Sequence, residues 1–143
     1  IRRLHQQYAG ADIHCSLDFR CPLSSYKYIT TQYGQGGHKG VDLAAPQGTP
    51  IYAAADGVVT VAAYHYSYGN YVSIYHGSAD DGNTYATLYA HMSQAPSVST
   101  NQQVKKGDLI GYVGNTGYSF GNHLHLELRV NGNRTNPLSY IPH

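Results

Sequence analysis

The stretch Gly121-Asn122-His123-Leu124-His125-Leu126-Glu127-Leu128 alternates polar and apolar side chains from His123 onward. On the two-residue period of a strand, Leu124, Leu126 and Leu128 share one face and His123, His125 and Glu127 share the other. A half-buried β-strand with its imidazoles turned outward follows. Cα atoms at i and i+2 lie roughly 6.6 to 7 Å apart along a strand, so both rings can lean into one small site. A metal centre or a proton-transfer pair would use such a couple, and a strand whose wet face happens to hold two histidines would look the same.

Further strands are expected on both sides of this one. Ile29-Thr30-Thr31-Gln32-Tyr33-Gly34 reads as a short strand, and Gln35-Gly36-Gly37 as a turn that delivers His38. Pro50 to Ala55 and Val58 to Ala62 flank Asp56-Gly57, a pattern that predicts a hairpin. Tyr71 to Tyr75, Thr84 to Tyr89 and Leu109 to Val113 complete the set, with Gly, Asn and Asp between them. His91 stands just beyond the Thr84 strand. No stretch carries a convincing helical period. The fold class is therefore all-β or β-dominated: one domain on a large antiparallel sheet, with loops over the active-site face. Residues 1–28 read as an irregular N-terminal extension and residues 29–143 as the folded unit.

The 143 residues suffice for one domain with a core and fall short of two. Charged residues make up 12% and the formal net charge is +1, so nothing points to nucleic acid or to an anionic membrane surface as partner. No run of eighteen apolar residues and no basic-then-apolar start occurs, so neither a membrane span nor a signal peptide is expected in the sequence as given. The mature part of an exported protein would fit. Fifteen tyrosines against two phenylalanines and no tryptophan suit a wet, shallow groove for a polar ligand, and equally an ordinary tyrosine-rich sheet surface. Cys15 and Cys21, close together in a loop-like segment, are expected to form a disulfide in an oxidising compartment. Without a C-x-x-C spacing they make no structural zinc site.

The groups that could do chemistry are His38, Asp42, His91, His123 and His125. In a straight strand the Cα atoms of His38 and Asp42 would stand about 13 Å apart, but Gly40 between them lets the backbone bend. A catalytic zinc site wants three protein ligands and an open position for water, which leaves two groups for proton transfer. Spacing alone does not say which three would bind the metal. The helical H-E-x-x-H motif of thermolysin-like enzymes is absent, and the only glutamate, Glu127, is expected at the surface or behind a ligand.

The sequence resembles the lysostaphin-type zinc metallopeptidases, which cut peptide bonds in bacterial peptidoglycan. The resemblance runs from about Ile29 to Pro137. It rests on His38-Lys39-Gly40-Val41-Asp42-Leu43-Ala44-Ala45-Pro46, Ala53-Ala54-Ala55-Asp56-Gly57-Val58-Val59, Leu88-Tyr89-Ala90-His91-Met92-Ser93, Gly114-Asn115-Thr116-Gly117 and His123-Leu124-His125. It implies that His38, Asp42 and His125 hold one zinc ion per chain and that His91 and His123 are the catalytic histidines. It also implies that Tyr33 helps hold the oxyanion, although Gln35-Gly36-Gly37 stands where the family usually has an arginine.

The function this implies is a zinc endopeptidase acting on cell-wall peptides, in the stem-peptide cross-link rather than a glycine bridge. Such an enzyme would be secreted, periplasmic or at the cell surface of a bacterium, and a monomer is expected. Tyr33, Tyr64, Tyr66, Tyr68 and Tyr118 are the candidate groove walls, with Gly117 and Gly121 leaving room near the metal. The rivals are a non-catalytic wall-binding or scaffold domain of the same fold, a glycine-bridge endopeptidase, and a carboxypeptidase trimming stem peptides.

Overall fold

The structure, a computed structural model, describes residues 14–117, 119 and 121–143. Strands β1 (Tyr28–Thr31), β2 (Val41–Ala44), β3 (Pro50–Tyr52), β4 (Gly57–His65) and β5 (Gly69–Ser78) fill the first half. Strands β6 (Thr84–Met92), β7 (Gln103–Val104), β8 (Leu109–Tyr112), β9 (His123–Val130) and β10 (Asn133–Thr135) follow. Two single 3-10 turns, Gln35–Gly37 and Pro137–Ser139, are the only helical elements among the described residues. The main sheet runs β1-β2-β9-β6-β5-β4-β7, entirely antiparallel, and β10 pairs with the far half of β9. The large antiparallel sheet expected from the sequence is therefore present, with β9 near its centre.

That central place changes one expectation. Leu124, Leu126 and Leu128 are fully buried as the alternation requires, each worth about 1.5–3 kcal/mol of transfer from water. The opposite face is covered too: His125 is only 8% and Glu127 only 1% exposed. The imidazole face is thus a floor under loops rather than a surface in solvent.

The Asp56-Gly57 hairpin does not form. β3 leaves the main sheet and pairs with β8, giving a separate two-stranded sheet. β4 pairs instead with β5, across a Tyr66-Ser67-Tyr68 turn closed by His65 opposite Gly69. The small, buried Ala53 and Ala54 carry the chain between the sheets, their amides taken by the Asp108 carbonyl and the Tyr89 hydroxyl. Gly57 is needed for closeness rather than for a turn, because any Cβ there would collide with the Tyr75 carbonyl. Asn131-Gly132, a residue pair suited to a tight turn, does close a hairpin: both residues have positive φ, 53° and 83°, as a two-residue hairpin loop demands, and β9 pairs with β10.

Residues 14 to 27 form no strand, yet they belong to the core. Cys15, Phe19 and Leu23 are buried in the same cluster as Leu124 and Leu126. The amides of Cys15, Arg20 and Lys27 donate to the carbonyls of Ser78, Ala54 and Ala44. The expected Cys15–Cys21 disulfide is absent, and both are free thiols. Each sulfur is taken up by packing instead, Cys15 inside the core and Cys21 against its edge. Burial raises the pKa of both thiols.

Candidate active site

The antiparallel register of β2 on β9 sets Asp42 directly opposite His125 and Ala44 opposite His123. Side chains at such paired positions start about 4.5–5.5 Å apart at Cβ, so the carboxylate and the imidazole meet without any special loop. Asp42 Oδ1 lies 2.8 Å from His125 Nδ1. The chain before β2 curls through Gly34, Gly36 and Gly37, all with positive φ. This curl brings His38 Nε2 to 3.2 Å from the same Asp42 oxygen. Gly40 contributes close approach: a Cβ there would stand 2.5 Å from the Leu126 carbonyl oxygen and 2.9 Å from His125 Cε1.

His91 arrives from the end of β6. The ladder still pairs Ala90 with His125, but His91 itself has φ 64°, a left-handed conformation that costs a non-glycine residue of order 1–3 kcal/mol. Its amide donates to the Tyr68 carbonyl at 2.7 Å. The bend turns the ring over the site, 4.9 Å from the His123 ring and 6.0 Å from that of His125 between centroids.

The two nitrogens of His91 and His123 are sorted by their partners. His91 Nδ1 lies 2.7 Å from the Thr116 carbonyl and His123 Nδ1 lies 2.7 Å from the Gly121 carbonyl. A carbonyl only accepts, so each Nδ1 carries its proton and each neutral ring keeps its lone pair on Nε2. His123 Nε2 is 3.7 Å from Asp42 Oδ1, too far for a hydrogen bond. Thr116 is in turn fixed by the Met92 carbonyl, to which its hydroxyl donates, and by the Asn70 amide.

Charges follow from these contacts. Burial pushes the Asp42 carboxyl up, but the hydrogen bond from His125 and the charges of His125, His123 and His38 hold it below the usual carboxylate range. Burial pushes His125 down, and its bonds to Asp42 and Glu127 outweigh that, taking it to about 9. Burial lowers His91, a trend its histidine neighbours reinforce.

His38 Nε2, Asp42 Oδ1 and His125 Nδ1 all lie within 4.8 Å of one another, the one cluster of its kind among the described residues. Two imidazoles and one carboxylate are a zinc donor set, and bonds of about 2.0–2.2 Å in a tetrahedron place ligand atoms roughly 3.3 Å apart. The 3.2 Å from His38 to Asp42 matches that, and the 2.8 Å from His125 needs only a small retreat of the ring. The residues fit the metal.

The five groups open into a cleft of about 820 Å³, also lined by Thr30, Tyr68 and Asn122. Beyond Tyr68 it continues into a second groove of about 610 Å³ walled by Tyr66, Lys39 and Arg134. Of the tyrosines expected as walls, Tyr68 borders both spaces and Tyr66 the second. Tyr64 projects into solvent and lines neither, and Tyr33 turns its hydroxyl to the Arg134 carbonyl, away from the cleft lining. Tyr118 lies outside the described residues. Gly121 borders the cleft, whereas Gly117 packs against Ser67 and Gly69 and holds the Thr116 loop in place.

Sequence reading missed Thr116 and the depth of Glu127. The Gly114-Asn115-Thr116-Gly117 run marked the first as a turn without indicating its partner. His14 sits at the surface near Asp80, while His65 accepts the Ser67 and Tyr68 amides and shapes the β4–β5 turn. His5 lies outside the described residues.

Comparison with known proteins agrees with this geometry. The sequence profile of Peptidase family M23 matches residues 36–137. The chain is 49% identical over 102 residues to the DD-carboxypeptidase/endopeptidase Mpg of Neisseria meningitidis, covering 71% of this chain and 22% of that protein. It thus spans under a quarter of the length of that curated relative. Among solved structures, a zinc containing peptidase from Vibrio cholerae superposes with a TM-score of 0.75 at 33% identity, covering 83% of this chain and 39% of the other. The catalytic domain of lysostaphin from Staphylococcus simulans gives 0.67 at 30% identity, covering 80% of this chain and 91% of that domain. With the profile matching most of the chain and the catalytic folds superposing on it, the chain belongs to peptidase family M23.

Proposed function

We propose that this chain is the catalytic part of a zinc endopeptidase that hydrolyses the peptide component of bacterial peptidoglycan. All five groups lie within residues 29–143, and residues 14–27 pack into the same core. The observation that carries the reading is the convergence of five groups from three strands and one turn. Three donor atoms share a 4.8 Å cluster, and beside them stand two imidazoles with Nδ1 tied to backbone carbonyls.

His38, Asp42 and His125 would hold one zinc ion. When bound, zinc supplies Lewis acidity toward a peptide carbonyl and lowers the pKa of a water toward about 7. His91 takes the proton of the attacking water on Nε2. Its depressed basicity keeps it neutral and ready near pH 7, and the Thr116 carbonyl steadies the ring once it is charged. His91 then passes that proton from Nε2 to the leaving amine and is neutral again. His123, its ring centroid 4.9 Å from that of His91, carries a proton on Nε2 only as the imidazolium, and in that form it donates to the developing oxyanion and keeps its own proton. The three ligands only position and charge the centre.

A relative from Vibrio cholerae named peptidoglycan DD-endopeptidase ShyC, 44% identical over 130 residues, supports the substrate class, and with it a site of action outside the cytoplasm. The open cleft, with Thr30 and Asn122 on its walls and little net charge, suits an extended peptide held through its backbone. Tyr68 and Tyr66 would stack along it. The chain would act as a monomer, with no nucleic-acid partner. The stem-peptide cross-link is the preferred bond, because the matching motifs are those of the broad family. Incubation with directly cross-linked muropeptide dimers should release monomers in a zinc-dependent way; cleavage of pentaglycine alone would overturn the choice of bond, and no cleavage of either would overturn the reading.

A further inference from the structure

Glu127 is a buried charged side chain beside the cleft that the mechanism leaves unused. It is 1% exposed, on a strand whose other buried positions are three leucines and His125. Burying a carboxylate costs several kcal/mol unless its oxygens are satisfied. Here they are: Oε2 lies 2.9 Å from His125 Nε2 and accepts the Tyr68 hydroxyl at 2.8 Å, while Oε1 takes the Arg129 guanidinium at 3.3 Å. Packing alone would have been served by another leucine.

We propose that Tyr68 and Glu127 are a positioning pair for the metal ligand His125, fixing its ring orientation and tautomer. The inference rests on the metal-site reading above. Both ring nitrogens face carboxylates, Nε2 toward Glu127 at 2.9 Å and Nδ1 toward Asp42 at 2.8 Å, and a carboxylate only accepts, so the ring donates from both. Ligation would take the proton from Nδ1, the nitrogen inside the donor cluster, while Glu127 keeps the one on Nε2. Without Glu127 the remaining carboxylate, Asp42, draws the proton of the neutral ring onto Nδ1, the nitrogen that ligation needs.

Tyr68 reaches this carboxylate from 59 positions away in the chain, out of the β4–β5 turn. Its ring lies 6.0 Å from that of His125 at 25°, a wall against rotation of the imidazole. The same residue's carbonyl accepts the His91 amide at 2.7 Å. One turn therefore holds a ligand through a side chain and a proton-transfer histidine through its backbone. Tyr68 borders the cleft, but its hydroxyl is spent on Glu127 and is not offered to substrate.

The test is zinc affinity, by competition with a chromophoric chelator, for wild type, Tyr68→Phe, Glu127→Gln and the double variant. Visible absorption of the cobalt-substituted forms accompanies it. Glu127→Gln should weaken zinc binding about 10- to 100-fold and alter the cobalt spectrum. Tyr68→Phe should weaken it by about three- to tenfold, and the double variant should be no weaker than Glu127→Gln, since the tyrosine acts through the glutamate. Circular dichroism checks the fold; Tyr68→Phe removes only an oxygen from a half-buried turn, and so carries the test even if Glu127→Gln misfolds. Zinc affinities within twofold of wild type would overturn the pair, as would additive losses. Tyr68→Phe with wild-type zinc affinity and a raised KM would make Tyr68 a substrate wall instead. Wild-type affinity itself tests the metal reading, while the variant-to-wild-type ratio tests the pair.

Discussion

Replacing Gly40 by alanine should both destabilise the protein and weaken its hold on zinc, and the sign of the first effect separates two reasons for a glycine here. A Cβ at this position would stand 2.5 Å from the Leu126 carbonyl oxygen, 2.9 Å from His125 Cε1 and 3.1 Å from Glu127 Cγ. Carbon and carbonyl oxygen rest at about 3.3 Å or more, so β9 must retreat from β2 by roughly 0.8 Å. The retreating strand carries His125, and β2 carries Asp42. Overpacking of this kind costs about 1–3 kcal/mol. In a chain of 143 residues that is a fall in Tm of roughly 3–12 °C, taking about 3–4 °C per kcal/mol. If the glycine were present only for backbone freedom the sign would reverse. Its φ is outside the left-handed region, and alanine would then stabilise by about 0.4–1 kcal/mol through the unfolded chain. Scanning calorimetry gives the Tm and chelator competition the zinc affinity. A Gly40→Ala variant that melts at or above wild type with unchanged zinc affinity would refute the close-approach argument.

His91→Ala and His123→Ala should each lower kcat/KM on cross-linked muropeptides by about two to four orders of magnitude; losses under tenfold would deny them catalytic roles. Burial takes His76 to about 4, with its ring nitrogens on the Asp56 carbonyl and the Thr87 hydroxyl. Between an unfolded pKa of about 6.5 and that value the unfolded chain binds a proton that the folded chain refuses. Stability present above about pH 6.5 is therefore lost on acidification, by up to about 3 kcal/mol. Urea unfolding at pH 7 and 4.5, with chelator throughout, should show this slope in wild type and a flatter one in His76→Gln; equal slopes would remove His76 as its cause. Two thiols should react with Ellman's reagent in denaturant, with Cys15 the slower in native protein because it is buried; peptide mapping that finds a Cys15–Cys21 bridge would contradict the structure.

What was legible in the sequence was local. The alternation through His123, His125 and Glu127 marks a strand because period two needs only neighbours, and Asn131-Gly132 marks a hairpin because its two positive φ angles suit those residue types. The groups that meet at the site were also legible, through motif resemblance. The rest depends on which strands become neighbours. Asp56-Gly57 looked like a turn, but its glycine answers to the Tyr75 carbonyl across the sheet. Glu127 read as a residue at the surface or behind a ligand, and the sequence could not choose because its partner Tyr68 is remote in the chain and becomes adjacent only once β6 and β9 bring the β4–β5 turn over the site. Tyr64 was chosen as a groove wall by residue type and Tyr33 also by its place in the resemblance, and neither says which way a ring points.

The most direct test of the metal assignment is zinc per chain, by elemental analysis, across His38→Ala, Asp42→Ala, His125→Ala, His91→Ala and His123→Ala. Wild type, His91→Ala and His123→Ala should each hold one zinc, and the other three should hold close to none, because two ligands bind far more weakly than three. Full zinc in His125→Ala, or its loss from His123→Ala, would contradict the assignment of the ligands.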